Sequence, residues 1–358
     1  MSGSPEISVV VATYNRAATL RETLARLRAQ SLGHGRFEVI VVDDGSSDGT
    51  REAVEQDRAL CAFDFKYLQH ANRGPGYTQN RGIREARAPI VLLIADDIFL
   101  APEALEAHLA MHAAHPSETT AVLGRVLQSP ALDETVFLSK WDPWHLGGLP
   151  DGMALPYTMF WACNISFKRE FMLRHGMFRD EMGRAGAAAH EDVELGYRLH
   201  QHGLQVRYGQ RALGYHHHVE TLEGTLRRSR QRGLNWYDFR QQVPQVEIDV
   251  TYRVYDLATL WSRRSELAGP RRAFLLEEDR SLPKLAFRYL LRCALFNRAS
   301  VRLVWLPLFA AAERSRLVAR IVHEKMYRGV VVHYFIRGFR EACRQYGALP
   351  VSRSAEGG

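Results

Sequence analysis

Short apolar runs alternate with helix-spaced apolar residues along the first third of the chain. The runs are Ile7–Ala12, Glu38–Val42, Phe65–Leu68 and Ile90–Ile94. Between the first two, Leu20, Leu24 and Leu27 repeat with the spacing of one helix face. Continuous apolar runs of this length are typical of strands that are buried on both faces of a parallel sheet. The alternation therefore predicts a doubly wound α/β sheet with right-handed crossovers.

The pattern changes along the rest of the chain. Residues 121–170 are less regular, and helical spacing returns at Glu191–His202, before a short strand at Leu204–Tyr208 and a helix at Thr221–Arg240. From Val250 onward we expect helical segments that are interrupted at Gly269-Pro270, Pro283 and Pro307. We place the domain boundary at 245, so that 1–245 form one domain, with halves at about 5–120 and 121–245, and 246–358 form a helical module.

The net charge of +7 is unevenly distributed over the 358 residues. Residues 1–240 carry 27 Lys and Arg against 29 Asp and Glu, whereas 241–358 carry 20 against 11. Such an excess indicates either a module that faces an acidic partner or a helical module with solvated arginines. The apolar string Leu303–Ala312 is either an amphipathic interfacial helix or core. We expect no nucleic-acid partner, because no recognised module for one is present.

Cysteine usage and the N-terminus indicate a compartment. The four cysteines are scattered without paired spacing, and the start of the chain lacks the basic and apolar regions of a signal peptide. No apolar run approaches the roughly 20 residues of a membrane-spanning helix. We expect a cytoplasmic protein, either free or peripheral at the inner face of the membrane.

Polar residues follow three of the predicted strands at the points where they end. They are Thr13 and Tyr14, Asp43 and Asp44, and Asp96 and Asp97. In doubly wound sheets, ligands bind beyond the carboxyl ends of the strands. The Asp96-Asp97 pair suits Mg²⁺ or Mn²⁺ on a diphosphate, unless it only caps the helix near Pro102. Asp44 is either a hydrogen-bond acceptor for a nucleoside or part of a turn.

Two further groups of residues have acid–base or metal-binding chemistry. Glu191 and Asp192 stand at the start of a predicted helix, where they either complement the helix dipole or supply a general base. His216, His217 and His218 follow a strand-like run, and strand alternation places His216 and His218 on one face. Imidazole is a common metal ligand, so one of these two is a candidate to complete a site with Asp97.

Four stretches of the sequence resemble the inverting glycosyltransferases of family 2, which have the GT-A fold. They are Ser8–Arg16, Glu38–Thr50, Gly74–Ala86 with Pro89–Asp97, and Asn164–Arg169 with His190–Asp192. The second stretch, EVIVVDDGSSDGT, is the most specific, and the likeness spans about 5–240. The resemblance implies a GT-A domain, a mixed sheet flanked by helices, over 1–245.

The resemblance also implies roles for individual residues. The residues expected to bind the nucleotide-diphospho-sugar are Ala12, Thr13, Tyr14, Arg16, Asp44, Gly74, Asn80 and Asp96. Asp97 is expected to bind Mn²⁺ or Mg²⁺, with His216 and His218 as further candidate ligands. Asp192 is expected to act as the base, with Glu191 beside it, and Trp161 and Asn164 to contact the acceptor. The chain departs from the family pattern at Ala95, where many members have an acid, and at Gln79, where Arg is frequent.

The function expected from these roles is metal-dependent, inverting transfer of a sugar to an acceptor hydroxyl by direct displacement. The partners are a nucleotide-sugar donor and an acceptor that is a glycan, a lipid-linked glycan or a small molecule, as in glycan or cell-envelope biosynthesis. The basic module is a candidate for membrane contact or homodimer formation. Two alternatives stay open: a sugar-phosphate nucleotidyltransferase, which usually has a Gly-rich loop that Thr13–Ala17 lacks, and a non-catalytic binding module.

Overall fold

A computed structural model describes residues 4–132, 135–144, 146–179, 190–243, 261 and 282–347. The chain divides into two compact units. The sheet unit comprises the described residues of Met1–Leu132, Trp144–Glu181 and Glu191–His218. The helical unit comprises those of Asp133–Pro143, Met182–His190 and Val219–Gly358. The predicted boundary at 245 falls outside the described residues.

Four parallel strands form one half of the sheet. They are β1 (Ile7–Thr13), β2 (Phe37–Asp43), β3 (Asp64–Gln69) and β4 (Ile90–Ala95), in the order β3-β2-β1-β4. Every residue of β2 is buried, as are nearly all of β1 and β4. The continuous apolar runs of the sequence therefore correspond to strands covered on both faces.

The other half of the sheet is mixed in direction. Its strands are β5 (Ile98–Leu100), β6 (Thr120–Gln128), β7 (Ala154–Leu155), β8 (Asn164–Lys168) and β9 (Gln205–His216). Strand β8 is antiparallel to both β4 and β6, whereas β9 is parallel to β6 and antiparallel to β5 and β7. This confirms the predicted mixed α/β sheet.

Helices flank the sheet within its unit. They are α1 (Ala17–Arg28), α2 (Thr50–Arg58), α3 (Pro75–Glu85), α4 (Ala104–Ala114), α6 (Arg169–His175) and α7 (Glu191–His200), while α5 (Val136–Lys140) belongs to the helical unit. The core contains Leu20, Leu24 and Leu27 of α1, the residues whose spacing predicted that helix. Strands β5, β6 and β8 lie in regions where the sequence pattern gave no strand.

The helical unit contains a close pair of long helices. Helix α8 (Leu222–Gln242) is followed, among the described residues, by α9 (Leu282–Leu295), a turn of helix at Arg298–Ser300, a π-helical turn at Val301–Trp305, α10 (Leu306–Ala312), α11 (Arg316–Ile321) and α12 (Glu324–Tyr346). A Cβ atom on Gly233 of α8 would lie 1.9 Å from the carbonyl oxygen of Phe335, and one on Gly338 of α12 would lie 1.9 Å from that of Arg230. Only glycine allows the two backbones to approach so closely.

The helices of this unit confirm the predicted helical C-terminal region. No described helix is both long and apolar enough to cross a membrane.

Candidate active site

The ends of the parallel strands bring the predicted polar residues to one edge of the sheet. Thr13 of β1 pairs in register with Asp43 of β2, and Ala12 of β1 pairs with both Val42 and Ala95. The backbone N–H of Asp44 donates to the carbonyl of Thr13 across 2.9 Å. The three strand ends are therefore neighbours, as the sequence predicted.

Asp96 is held in a buried polar network just beyond β4. Its carboxylate accepts hydrogen bonds from Thr13 Oγ1 at 2.7 Å and from the Arg16 guanidinium at 3.0 Å. The side chain of Thr23 donates to its backbone carbonyl at 2.6 Å. Burial raises the pKa of Asp96 to about 6, although the charge of Arg16 opposes this shift. Asp96 therefore changes its ionisation near neutral pH rather than near pH 4.

The Asp97 carboxylate lies near both histidines that were predicted to share its site. Its Oδ2 lies 3.7 Å from His216 Nε2 and 3.9 Å from His218 Nδ1, and Arg16 donates to the same carboxylate at 2.5 Å. Antiparallel pairing of β9 with β5 places His216 opposite Ile98. His217 lies elsewhere, stacked on Phe99 with 4.8 Å between ring centroids. The alternation deduced from the sequence thus separates His217 from the other two.

The donors around Asp97 are a carboxylate and two imidazoles, a set that suits Mn²⁺ better than Mg²⁺, which prefers oxygen ligands. In the described part of the chain, no group of three or more His, Cys, Asp or Glu side chains is already arranged to hold a metal ion. The guanidinium of Arg16 forms ion pairs with both Asp96 and Asp97. The donor types fit a divalent cation, which would either share the Asp97 carboxylate with Arg16 or displace its guanidinium.

Two tryptophans stand beside the histidines. The ring centroids of Trp144 and His216 are 5.6 Å apart, and those of Trp144 and Trp161 are 5.9 Å apart. Trp161 is half-buried, and its indole N–H donates to the carbonyl of Thr158 at 3.0 Å. Sequence reasoning assigned no role to Trp144, because it lies in an irregular segment where neither helix nor strand spacing orients it. An aromatic surface of this kind suits the apolar face of a sugar ring.

Asp44 anchors the loop that precedes α3. Its two carboxylate oxygens accept the backbone N–H groups of Arg73 at 2.7 Å and of Gly74 at 2.9 Å, and His70 Nδ1 lies 3.4 Å away. Gly74 has a φ of 87°, a conformation that favours glycine. Tyr14, at the end of β1, is 48% exposed. Tyr14 therefore presents part of its side chain to solvent at the end of the strand beside β2.

Asp192 lies in the first turn of α7, beside Glu191. Its Oδ1 accepts the backbone N–H of Val193 at 2.8 Å. Burial first, and then the charges of Asp192 and Asp97, raise the pKa of the Cys163 thiol. Both carboxylates thus disfavour the thiolate of the same cysteine, which directly precedes β8.

Two residues of the predicted site, Asn164 and Asn80, make hydrogen bonds within the protein. Asn164 is fully buried, accepts a hydrogen bond from His108 at 3.1 Å and donates to the carbonyl of Ala212 at 3.0 Å. Its side chain is therefore engaged in a buried network, and its expected contact with the acceptor stays a prediction. Asn80 exchanges two hydrogen bonds with the backbone of Phe178, at 2.8 and 3.0 Å, so these contacts join α3 to the segment after α6.

A buried ion cluster on α7 was missed by the sequence reasoning. Glu194 is 1% exposed and binds Arg198 through both oxygens, at 2.7 and 2.9 Å, and Arg179 at 3.0 Å. The i,i+4 spacing of Glu194 and Arg198 is visible in the sequence, whereas the approach of Arg179 depends on the fold. The cluster fixes the helix whose first turn carries Asp192.

The mixed sheet, with carboxylates at the ends of its parallel strands, is the arrangement expected of a GT-A glycosyltransferase domain. Residues 8–147 match the family model described as glycosyl transferase family 2. This part of the chain, which contains the parallel strands and the Asp96-Asp97 pair, is thus similar to glycosyl transferase family 2.

Relatives of known name agree with this assignment. Validoxylamine A glucosyltransferase of Streptomyces hygroscopicus subsp. jinggangensis is 30% identical over 235 residues, covering 59% of this chain and 55% of the relative. Chondroitin synthase of Escherichia coli is 26% identical over 271 residues, covering 66% of this chain and 38% of the relative. The chain thus spans about half the length, or less, of these relatives.

A solved structure shares the fold. The mannosyltransferase PcManGT of Pyrobaculum calidifontis, determined in complex with GDP-Man and Mn²⁺, superposes with a TM-score of 0.57 at 18% identity. The match covers 96% of this chain and 88% of the other. It confirms the GT-A fold that the sequence predicted.

Proposed function

We propose that this protein is a metal-dependent, inverting glycosyltransferase that transfers a sugar from a nucleotide-diphospho-sugar to an acceptor hydroxyl. The observation that carries the proposal is the meeting of Asp97 with His216 and His218 within 4 Å, at the edge where β1, β2 and β4 end. Carboxylate and imidazole donors beside a nucleotide-sized polar edge suit a cation-bound diphosphate. The named relatives, a glucosyltransferase and a chondroitin synthase among them, support sugar transfer as the reaction class.

The donor's nucleoside is assigned to the ends of β1 and β2. Tyr14 offers an exposed ring for stacking on the base, and Ala12 leaves room beside it. Asp44 retains acceptor capacity after binding two backbone N–H groups, because an ionised carboxylate has about four acceptor positions. Asp96 is assigned to the ribose, and Thr13 and Arg16 hold it in position.

The diphosphate is assigned to the side of the Asp96-Asp97 pair that lies away from the nucleoside. Asp97, His216 and His218 would hold Mn²⁺, which supplies Lewis-acid stabilisation of the charge that develops on the leaving diphosphate. Arg16 contacts both carboxylates before any ligand binds. When released from Asp97, its guanidinium is placed to bind a phosphate oxygen, for which its planar donor geometry is suited.

The acceptor side is assigned to Trp144, Trp161 and Asp192. Asp192 removes the proton from the acceptor hydroxyl as the oxygen attacks the anomeric carbon, while the bond from that carbon to the diphosphate oxygen breaks. One displacement at this carbon inverts its configuration and requires no covalent intermediate. A base positioned in this way contributes typically about 10²–10⁴-fold to the rate.

A donor screen tests the proposal. Thermal unfolding of the full chain is measured with a panel of nucleotide sugars, with Mn²⁺, with Mg²⁺ and with a chelator. We expect one donor class to raise the melting temperature only when a divalent cation is present. Turnover of that donor with candidate acceptors, followed by NMR of the anomeric proton, tests inversion. Stabilisation by donors that is equal with chelator and with Mn²⁺ contradicts metal-dependent binding.

A further inference from the structure

One segment of the helical unit exposes most of the large apolar side chains of the described chain. Eight of the thirteen such side chains lie between residues 282 and 321. Four of them are on α9, at Phe287, Leu290, Leu291 and Leu295, with spacings of three, four and eight residues from the first. These spacings define one face of a helix. Leu285, on the opposite side of α9, is the buried residue of that helix.

The exposed face of α9 continues into the turn that follows. The indole N–H of Trp305 donates to the carbonyl of Leu295 at 2.6 Å, and the rings of Phe296 and Trp305 stack at 5.1 Å. These contacts hold the 301–305 turn, in which Leu303 is 72% exposed and Val304 is also exposed, against the end of α9. Leu317 and Ile321 of α11, later in the same segment, are also exposed. We refer to these eight side chains and the basic residues between them as the 282–321 surface.

The segment 282–321 is strongly basic. Residues 282–321 contain eight Lys and Arg and a single acid, Glu313. The Glu313 carboxylate accepts the backbone N–H groups of Val136 and Phe137, at 3.0 and 2.9 Å, so it is engaged within its own unit. Within the described chain, Arg302, Arg316 and Arg320 have no carboxylate within 4.0 Å.

A second copy of the chain is a poor partner for this surface. In a two-fold symmetric interface the same patch occurs on both sides, so Arg302, Arg316 and Arg320 would face an identical set of arginines. Like charges brought together in this way oppose association. Exposed apolar side chains among basic residues instead match a bilayer, which has an apolar interior beneath acidic headgroups.

We infer that the 282–321 surface docks the protein on an anionic phospholipid membrane, with its leucines and Phe287 at the boundary of headgroups and acyl chains and its arginines among the phosphates. This inference does not depend on the proposed transfer reaction, because it concerns side chains of the other unit. It does assign a place for the reaction: an acceptor carried on the same membrane would be held at high local concentration near the enzyme.

Co-sedimentation of the full chain with vesicles tests the inference. We expect binding to vesicles of phosphatidylcholine mixed with phosphatidylglycerol, little binding to phosphatidylcholine alone, and weaker binding as NaCl is raised. The triple variant Arg302→Gln, Arg316→Gln, Arg320→Gln should lower the partition coefficient by about 100-fold, since each basic residue near the surface contributes about one decade or slightly less. The double variant Leu290→Ser, Leu303→Ser should lower it by about tenfold or more.

A matched triple variant distinguishes vesicle binding by this surface from binding through the net charge of the protein. Arg58→Gln, Arg84→Gln, Arg211→Gln removes the same charge from exposed arginines of the sheet unit, and it should retain most of the vesicle binding. Thermal unfolding and donor-induced stabilisation should be unchanged in all three variants, which shows that they fold. Equal losses in the two triple variants, no binding to anionic vesicles, or a concentration-dependent dimer that Leu290→Ser, Leu303→Ser abolishes would each overturn the inference.

Discussion

The two units use charged residues in opposite ways. In the sheet unit, charges are gathered and buried at the strand ends, where Asp96 and Asp97 are 6% and 7% exposed and share Arg16. In the helical unit, arginines of the 282–321 surface are spread among exposed apolar side chains, and the single acid is engaged by backbone N–H groups. Burying charge costs free energy unless the charges are paired. We therefore attribute the buried charges at the strand ends to chemistry at a single site. The second pattern suits binding over an area.

The largest expected effect is that of Asp97→Asn. It removes the charge shared by His216, His218 and Arg16, and with it the proposed cation site. Several kcal/mol of transition-state stabilisation depend on such a cation, so we expect turnover to fall by about 10³-fold or more. Steady-state kinetics and Mn²⁺ titration measure the loss. The exposed Asp64→Asn is the control, and equal turnover in Asp97→Asn and wild type would refute the site.

Asp192→Asn should act on the rate rather than on donor binding. Loss of a general base lowers kcat by about 10²–10⁴-fold, while the affinity for the donor and cation changes little. Glu191→Gln, one residue earlier in the same turn, is the matched variant. If the two acids serve only the helix dipole, each change costs about 0.3–1 kcal/mol of stability and leaves kcat unaltered. Kinetics and calorimetry on both variants distinguish these outcomes.

Gly233→Ala tests the helical unit in the same quantitative way. The added Cβ meets the carbonyl oxygen of Phe335 on α12, a backbone atom that a side-chain rotation cannot move aside. We expect a loss of about 1–3 kcal/mol in the free energy of unfolding, measured in urea. Gly35→Ala, which has no atom within 4 Å of the added Cβ, should change stability little. Equal stabilities would mean that α8 and α12 are not packed through their glycines.

Asp96→Asn should give a smaller, pH-dependent effect. The folded pKa of Asp96, about 6, exceeds its ordinary value of 3.8, so the folded state holds the proton more tightly than the unfolded chain does. Its contribution to stability is therefore present below pH 4 and is lost as the pH rises through about 6. Relative to wild type, the asparagine variant should gain about 1–3 kcal/mol between pH 4 and pH 8, measured by urea unfolding. A difference that is constant over this range contradicts the buried, proton-binding carboxylate.

The sequence predicted the parallel half of the sheet better than the mixed half. Strands β1, β2 and β4 are buried on both faces, and each contains four or more consecutive apolar residues. Strand β8 begins with Asn164, and its Ser166 is bound by His108 and His112, at 2.9 Å each, so polar residues interrupt its pattern although it is buried. Hydrogen bonds that satisfy buried polar groups depend on long-range contacts, which local spacing does not reveal.

The same limit applies to the site. Asp44, Asp96 and Asp97 were predicted because they follow strand ends, and His216 and His218 because strand alternation places them on one face. Arg16 on Asp96 and Asp97, Trp144 beside His216, and Arg179 on Glu194 arise from contacts between segments far apart in the chain. The buried network that Asn164 completes with His108 and the carbonyl of Ala212 was not foreseen for the same reason, and its expected acceptor contact stays a prediction.

Diffraction at the manganese absorption edge tests the central claim most directly. Crystals of the full chain are soaked with Mn²⁺ and the nucleoside diphosphate that the donor screen selects. The account predicts an anomalous peak bonded to Asp97 and to His216 or His218, with Arg16 moved from Asp97 towards a phosphate oxygen. A bound nucleotide with no manganese at Asp97, and with the Arg16–Asp97 ion pair intact, would contradict it.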